Sequence, residues 1–292
     1  MLYLIASVVL TSYLTLSFKI TDRQNISNLQ VLVCISIVST LTGIIANGAF
    51  DVPLSSVNNG WFGWSIIIGF LFIALFMLIA AATQKAGVAI ASASNRLSLI
   101  IPFVFSIFYY GEEASAGKLS GIAVILFSVV LICLPKNDLS SSNKKVRLTH
   151  IILPAFIFLG SGLRDTSVKY VQQQYPGEKD QSLFLIFSFA FAASFGLLFL
   201  LIRLVTGKER FNGKSILAGI AIGIPAYFSF WCIIIFLSTY QKQSAVVIPI
   251  HNMAIVILTT LVALLFFKEK LSTVNWLGVA LSIAGILLVA LS

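Results

Sequence analysis

The sequence predicts an all-α polytopic membrane protein, with ten transmembrane helices arranged as two inverted five-helix repeats. Composition is the first reason: 59% of the 292 residues are hydrophobic and 10% are charged, with a mean hydropathy of +1.01. About a quarter of the residues in a soluble globular domain are charged. The second is that ten apolar stretches each approach the ~20 residues that cross a hydrocarbon core of about 30 Å at 1.5 Å per residue. The third is an internal repeat. Gln84, Lys85, Asn95, Glu112 and Gly121 recur as Gln241, Lys242, Asn252, Glu269 and Gly278, always 157 positions on and without a gap from residue 84 to the end of the chain. A fixed period in an apolar chain signals a fold built twice from one unit.

The stretches are 2–18, 28–48, 61–83, 87–110, 118–135, 149–171, 182–205, 214–239, 244–267 and 272–291. The first runs from Leu2 into Lys19 and Arg23 without a basic leader or an A-x-A cleavage pattern, so it is expected to be an uncleaved span. The third opens on Trp61 and Trp64, the fourth closes on Tyr109 and Tyr110, and Trp276 lies early in the tenth, all expected in the interfacial aromatic belt. The fourth begins with a dense run of small residues, Ala86 to Ser94, which lets helices approach closely. The longest connections, 49–60, 136–148 and 172–181, are too short to hold a soluble domain with its own core. The organisation expected is a first repeat at 1–137, a basic cytoplasmic connection at 138–148 and a second repeat at 149–292.

Each repeat holds five spans, an odd number, so the second copy enters the membrane from the opposite face. A pseudo-twofold axis in the membrane plane then relates the halves. The early spans repeat more faintly: Thr11, Ser17 and Lys19 match Ser161, Ser167 and Lys169 at a shift of 150, a seven-residue length change. Thirteen Lys and Arg residues fall on one face, while Lys118, Lys169, Lys179 and Lys242 fall on the other. The richer face is expected in the cytoplasm, which leaves both termini outside it. The net charge of +9 is accounted for by this topology without a nucleic-acid partner.

Polar residues inside spans carry the functional signal. Arg96 lies about nine residues into span four, roughly 13 Å deep, where an arginine facing lipid costs several kcal/mol. Three placements are open to it: a substrate anion, a structural ion pair or carbonyl contacts, and snorkelling to the interface. Its repeat partner is Met253, so this charge is a departure from the scaffold. Asn95 and Asn252 are matched, and serve either interhelical hydrogen bonding or substrate contact. His251 is a candidate proton carrier or substrate donor, with a hydrogen-bonded structural role as the alternative.

In span six, Asp165 and Lys169 are spaced to pair on one helix face, leaving Arg164 without a local partner and a second candidate for an anion. Tyr227 and Trp231 share a face of span eight, either as a cavity wall or as packing. The repeated Glu112 and Glu269 are expected to tie loops to helix ends, Gly121 and Gly278 to permit tight packing, and Gln84 and Gln241 to belong to the scaffold. Cys34, Cys133 and Cys232 form no metal-binding spacing, so no metal or cofactor is expected.

With these residues in place, the chain resembles the drug/metabolite transporter superfamily, in particular its EamA-type ten-helix members. The resemblance is carried by the small-residue run before Asn95, then Pro102, Tyr110-Gly111-Glu112 and Gly121, and in the second copy Glu269 and Gly278. The second copy departs from the pattern at Thr259 and Lys268, where the first has Pro102 and Gly111. The resemblance implies a central cavity lined by spans one, three, four, six, eight and nine, and export or exchange of small solutes.

The function expected is therefore a secondary transporter of a small polar metabolite, such as an amino acid or organic anion, working by alternating access in a bacterial inner membrane. No G-x-x-x-x-G-K-[ST] sequence is present, so energy is expected from the substrate gradient or from proton coupling. The alternative is a translocase of a phosphate-bearing lipid carrier, using the same fold and two arginines. An intramembrane lipid-modifying enzyme is the remote alternative, because His150 and His251 are the only histidines and neither lies beside an intramembrane carboxylate pair.

Overall fold

The computed structural model describes residues 2–23, 26–48, 58–85, 94–95, 97–111, 115–133, 144–175, 177–239, 244–267 and 273–291. Among them are ten helices and no strand: α1 (Leu2–Arg23), α2 (Asn28–Asn47), α3 (Gly60–Lys85), α4 (Ile100–Tyr110), α5 (Ala116–Cys133), α6 (Lys144–Gln174), α7 (Glu178–Val205), α8 (Gly213–Thr239), α9 (Ser244–Phe267) and α10 (Thr273–Leu291). The helices coincide within a few residues with most of the expected apolar stretches. Two differ. α6 begins at Lys144 and not at 149, so the helix takes up the basic end of the expected connection. The described helix of span four begins at Ile100, and residues 86–93 and 96 lie outside the described set. Four helical stretches, Asn28–Asn47, Gly60–Ile79, Lys179–Val205 and Gly213–Leu237, are long and apolar enough to cross a membrane among the described residues.

Local chemistry sets the ends. Ser27, in extended conformation, caps α2 through its hydroxyl on Gln30 N. Gly48 closes the same helix in the left-handed region at φ 59°, which a side chain would strain. Inside the helices, hydroxyls bond back one turn, as Ser36 does to Leu32 O (2.9 Å) and Ser188 to Phe184 O (2.7 Å). In an apolar surrounding that is the partner within reach.

The chain divides into two compact units. One holds Met1–Phe76 and Ser167–Thr239, the other Met77–Thr166 and Tyr240–Ser292, so the boundaries fall inside α3 and α6. Within the first unit, α8 packs on α1 and α2, and α2 also packs on α7. Glycines set the α2–α8 seam. Gly219 lies against Cys34, a Cβ on Gly223 would sit 2.7 Å from Val38 Cβ, and one on Gly43 would sit 2.6 Å from the Tyr227 ring. These contacts advance along both helices together, so α2 and α8 run parallel. The register of α3 and α7 is also parallel: Trp61 bonds Asp180, Gly69 meets Phe191, and Ile73 meets Gly196. Between α2 and α7, Val33 meets Gly196 and Gly43 meets Ile186, so that pair is antiparallel.

In the second unit α5 and α10 form the main pair, and α9 touches α4, α5 and α10. A Cβ on Gly285 of α10 would lie 2.7 Å from Ile125 and 3.1 Å from the carbonyl of Gly121 on α5. Gly121 and Gly278 are both buried.

Candidate functional site

The second unit brings together the middle of span four and α6. Ser161, fully buried on α6, donates its hydroxyl to Asn95 Oδ1 at 2.8 Å. Ser98 donates in turn to the Asn95 carbonyl at 2.6 Å. The next α6 residue, Gly162, lies against Ile101, where a side chain would collide with it. Ser161 thus fixes the side-chain amide of Asn95 and Ser98 its main-chain carbonyl, and the amide nitrogen is the donor that group can offer.

One turn along α6 from Ser161 stand Arg164 and Asp165. The Arg164 Nε donates to Asp165 Oδ1 at 2.8 Å, and Nη2 lies 2.8 Å from the same oxygen. This corrects the expectation that Arg164 has no local partner. Adjacent residues on an ideal helix do not face each other, but the arginine arm is long enough to fold back onto its neighbour's carboxylate. Lys169, expected opposite Asp165, is 2% exposed.

His251 and Asn252 sit half-buried on α9 beside the fully buried Met253, and both are engaged with neighbours. Arg96, Glu112, Gln241 and Glu269 lie outside the described residues, as does the side chain of Gln84.

Tyr227 and Trp231 belong to the first unit. Tyr227 is 0% exposed, packed with Leu185, Ile186, Phe189 and Ile234, and its hydroxyl accepts from Asn47 Nδ2 at 2.6 Å. Trp231 makes an edge contact with Tyr3, ring centroids 5.8 Å apart. Asn47 was missed in the sequence, although an amide that closes a long, mainly apolar stretch is the signal that marks it. Trp61, expected at interfacial depth, is buried against protein at the start of α3, with Nε1 donating to Asp180 Oδ1 at 3.1 Å and its ring on Phe62 and Phe187. Depth along a span is legible in sequence, whereas the direction a ring faces is set by the neighbouring helix.

Residues 166–291 match the model of the EamA-like transporter family. This segment, somewhat under half of the chain, is similar to an EamA-like transporter unit. An uncharacterized protein of Haemophilus influenzae is 28% identical over 224 residues, which cover 76% of this chain and 72% of its own length. A protein solved by crystallography superimposes with a TM-score of 0.72 at 18% identity, over 99% of this chain and 96% of its own, so the whole chain takes a fold already observed. The match supports an integral membrane protein similar to transporters of the drug/metabolite kind. The matched segment holds Glu269 and Gly278 of the second repeat. Asn95 and Ser161 lie ahead of it, so the site geometry reaches beyond what the match covers.

Proposed function

We propose that the chain is a secondary transporter that exports or exchanges a small zwitterionic metabolite of the amino-acid class by alternating access, without ATP. The observation that carries the reading is the Asn95–Ser161 bond with the Arg164–Asp165 pair one turn away. An arginine already neutralised by a carboxylate is a poor trap for a simple anion. Arginine and carboxylate side by side instead complement a ligand that has a carboxylate and an ammonium, since each group can exchange one charged partner for another.

The amide of Asn95 would orient the ligand, with Arg96, His251 and Asn252 as further recognition groups. Tyr227 and Trp231 are proposed to act within the first unit, Tyr227 through its packing in the apolar cluster there. Gln84, Glu112, Gly121, Gln241, Glu269 and Gly278 would serve the scaffold and the gates. The protein would sit in a bacterial inner membrane with both termini outside the cytoplasm.

The inverted repeat is supported by a pairing. When span two is exchanged for seven and three for eight, the α2–α8 contact becomes the α7–α3 contact, and both pairs run parallel.

A thermal-unfolding screen of the purified chain against amino acids, simple carboxylates and simple amines tests the reading. A ligand that binds only the folded state stabilises it by RT ln(1 + [L]/Kd), about 2.7 kcal/mol at a hundredfold excess over Kd. The expected result is stabilisation by a member of the amino-acid class, lost in Arg164→Ala and weakened in Ser161→Ala. Equal stabilisation of wild type and Arg164→Ala contradicts it, as does stabilisation by carboxylates alone.

A further inference from the structure

A second set of polar contacts lies where α7 passes into α8. α7 ends in a Schellman turn: Gly207 takes φ 68°, its N–H bonds Leu204 O (3.1 Å), and the Lys208 N–H bonds Arg203 O (3.0 Å). The chain beyond is gripped by Gln30, which is 3% exposed. Its Nε2 donates to Arg210 O at 2.6 Å, and its Oε1 accepts from Asn212 N at 2.9 Å. One buried amide thus holds the main chain on both sides of Phe211. Phe211 itself is 70% exposed.

Charge in this loop is sorted by direction. Glu209, the single acid between Val205 and Lys214, is turned inward. Its Oε1 accepts from the Ser27 hydroxyl and from Gln30 Nε2 (3.4 Å), while Arg203 Nε lies 3.5 Å from Oε2. Lys208, Arg210 and Lys214 are exposed. Outward, the loop therefore presents three cations around an aromatic ring. Exposed apolar residues continue from it along α7 (Leu198, Leu201) and along α8 (Leu217, Ile220). Both helices are long and apolar enough to cross a membrane, so those faces meet acyl chains and the loop stands at headgroup depth.

We propose that the α7–α8 loop is a binding site for an anionic phospholipid of the adjoining leaflet. Lys208, Arg210 and Lys214 take the phosphate and Phe211 inserts among the upper acyl carbons, with Gln30 holding the loop in that presentation. A soluble anion would explain the cations, but not an aromatic ring held outward where two lipid-facing helix surfaces meet. The proposal is independent of what the protein transports.

Native mass spectrometry of the full chain in neutral detergent, titrated with phosphatidylglycerol or phosphatidylcholine, tests it. Wild type is expected to retain phosphatidylglycerol in preference to phosphatidylcholine. The triple variant Lys208→Gln, Arg210→Gln, Lys214→Gln should bind phosphatidylglycerol about a hundredfold more weakly, and Phe211→Ser about tenfold more weakly. Lys179→Gln, which removes an exposed cation far along the chain, should change nothing. All these side chains are exposed, and Lys208→Gln alone should move binding in the same direction by a smaller step. Retention of phosphatidylcholine as strong as that of phosphatidylglycerol overturns the proposal. So does wild-type retention in either the triple variant or Phe211→Ser, loss in Lys179→Gln, or full displacement of the lipid by inorganic phosphate.

Discussion

The Tyr227 hydroxyl is a polar atom inside an apolar cluster, and the Asn47 amide satisfies it at 2.6 Å. A buried hydroxyl that loses its partner costs about 1–3 kcal/mol, whereas removing both partners is close to neutral. Asn47→Leu should therefore lower thermal stability by that amount, and Tyr227→Phe added to it should restore most of the loss. A double variant as unstable as Asn47→Leu alone would show that the amide acts elsewhere. At this scale the sequence marks polar residues within apolar stretches but not what they touch. Asn95 was legible as a repeated intramembrane amide, but its partner Ser161 is 66 positions away and no local pattern joins them. Arg164 was read as partnerless because helix spacing was applied to Cα positions, while the long guanidinium arm reaches its sequence neighbour.

Among the elements, helix positions were legible because a run of about 20 apolar residues has few other uses. Ends were less so: α6 starts five residues earlier than its apolar run, since Lys144 to Leu148 extend a helix without adding hydropathy. The α2–α8 seam was not legible at all. Gly219 and Gly223 are four apart on α8, but their value lies in Cys34 and Val38 standing opposite. Van der Waals packing and interhelical hydrogen bonds hold helices together in lipid, and Ser39 adds a bond to the Gly223 carbonyl at 2.8 Å. Gly223→Leu should force the pair apart and cost about 1–3 kcal/mol or more, seen as a lower unfolding temperature and loss of monodispersity in gel filtration. Gly213→Ala, where a Cβ meets nothing within 4 Å, is the matched control and should be silent.

For the molecule as a whole, repeat and packing divide the chain differently. The repeat cuts it once near its middle, while the compact units each draw on both halves, with boundaries inside α3 and α6. Sequence similarity reports descent from one unit, and compactness reports which surfaces bury one another, so the interleaving was not readable from the 157-residue shift. The odd span count carries the proposal made above: two copies of opposite orientation, either of which can adopt the other's shape. If that is how the protein works, flux needs a substrate gradient and no nucleotide. The direct measurement is exchange in proteoliposomes loaded with unlabelled amino acids, followed by uptake of labelled ones with and without ATP. The account predicts saturable, ATP-independent exchange of at least one amino acid, lost in Arg164→Ala. The absence of saturable exchange for every amino acid by a folded, reconstituted wild-type protein would contradict it.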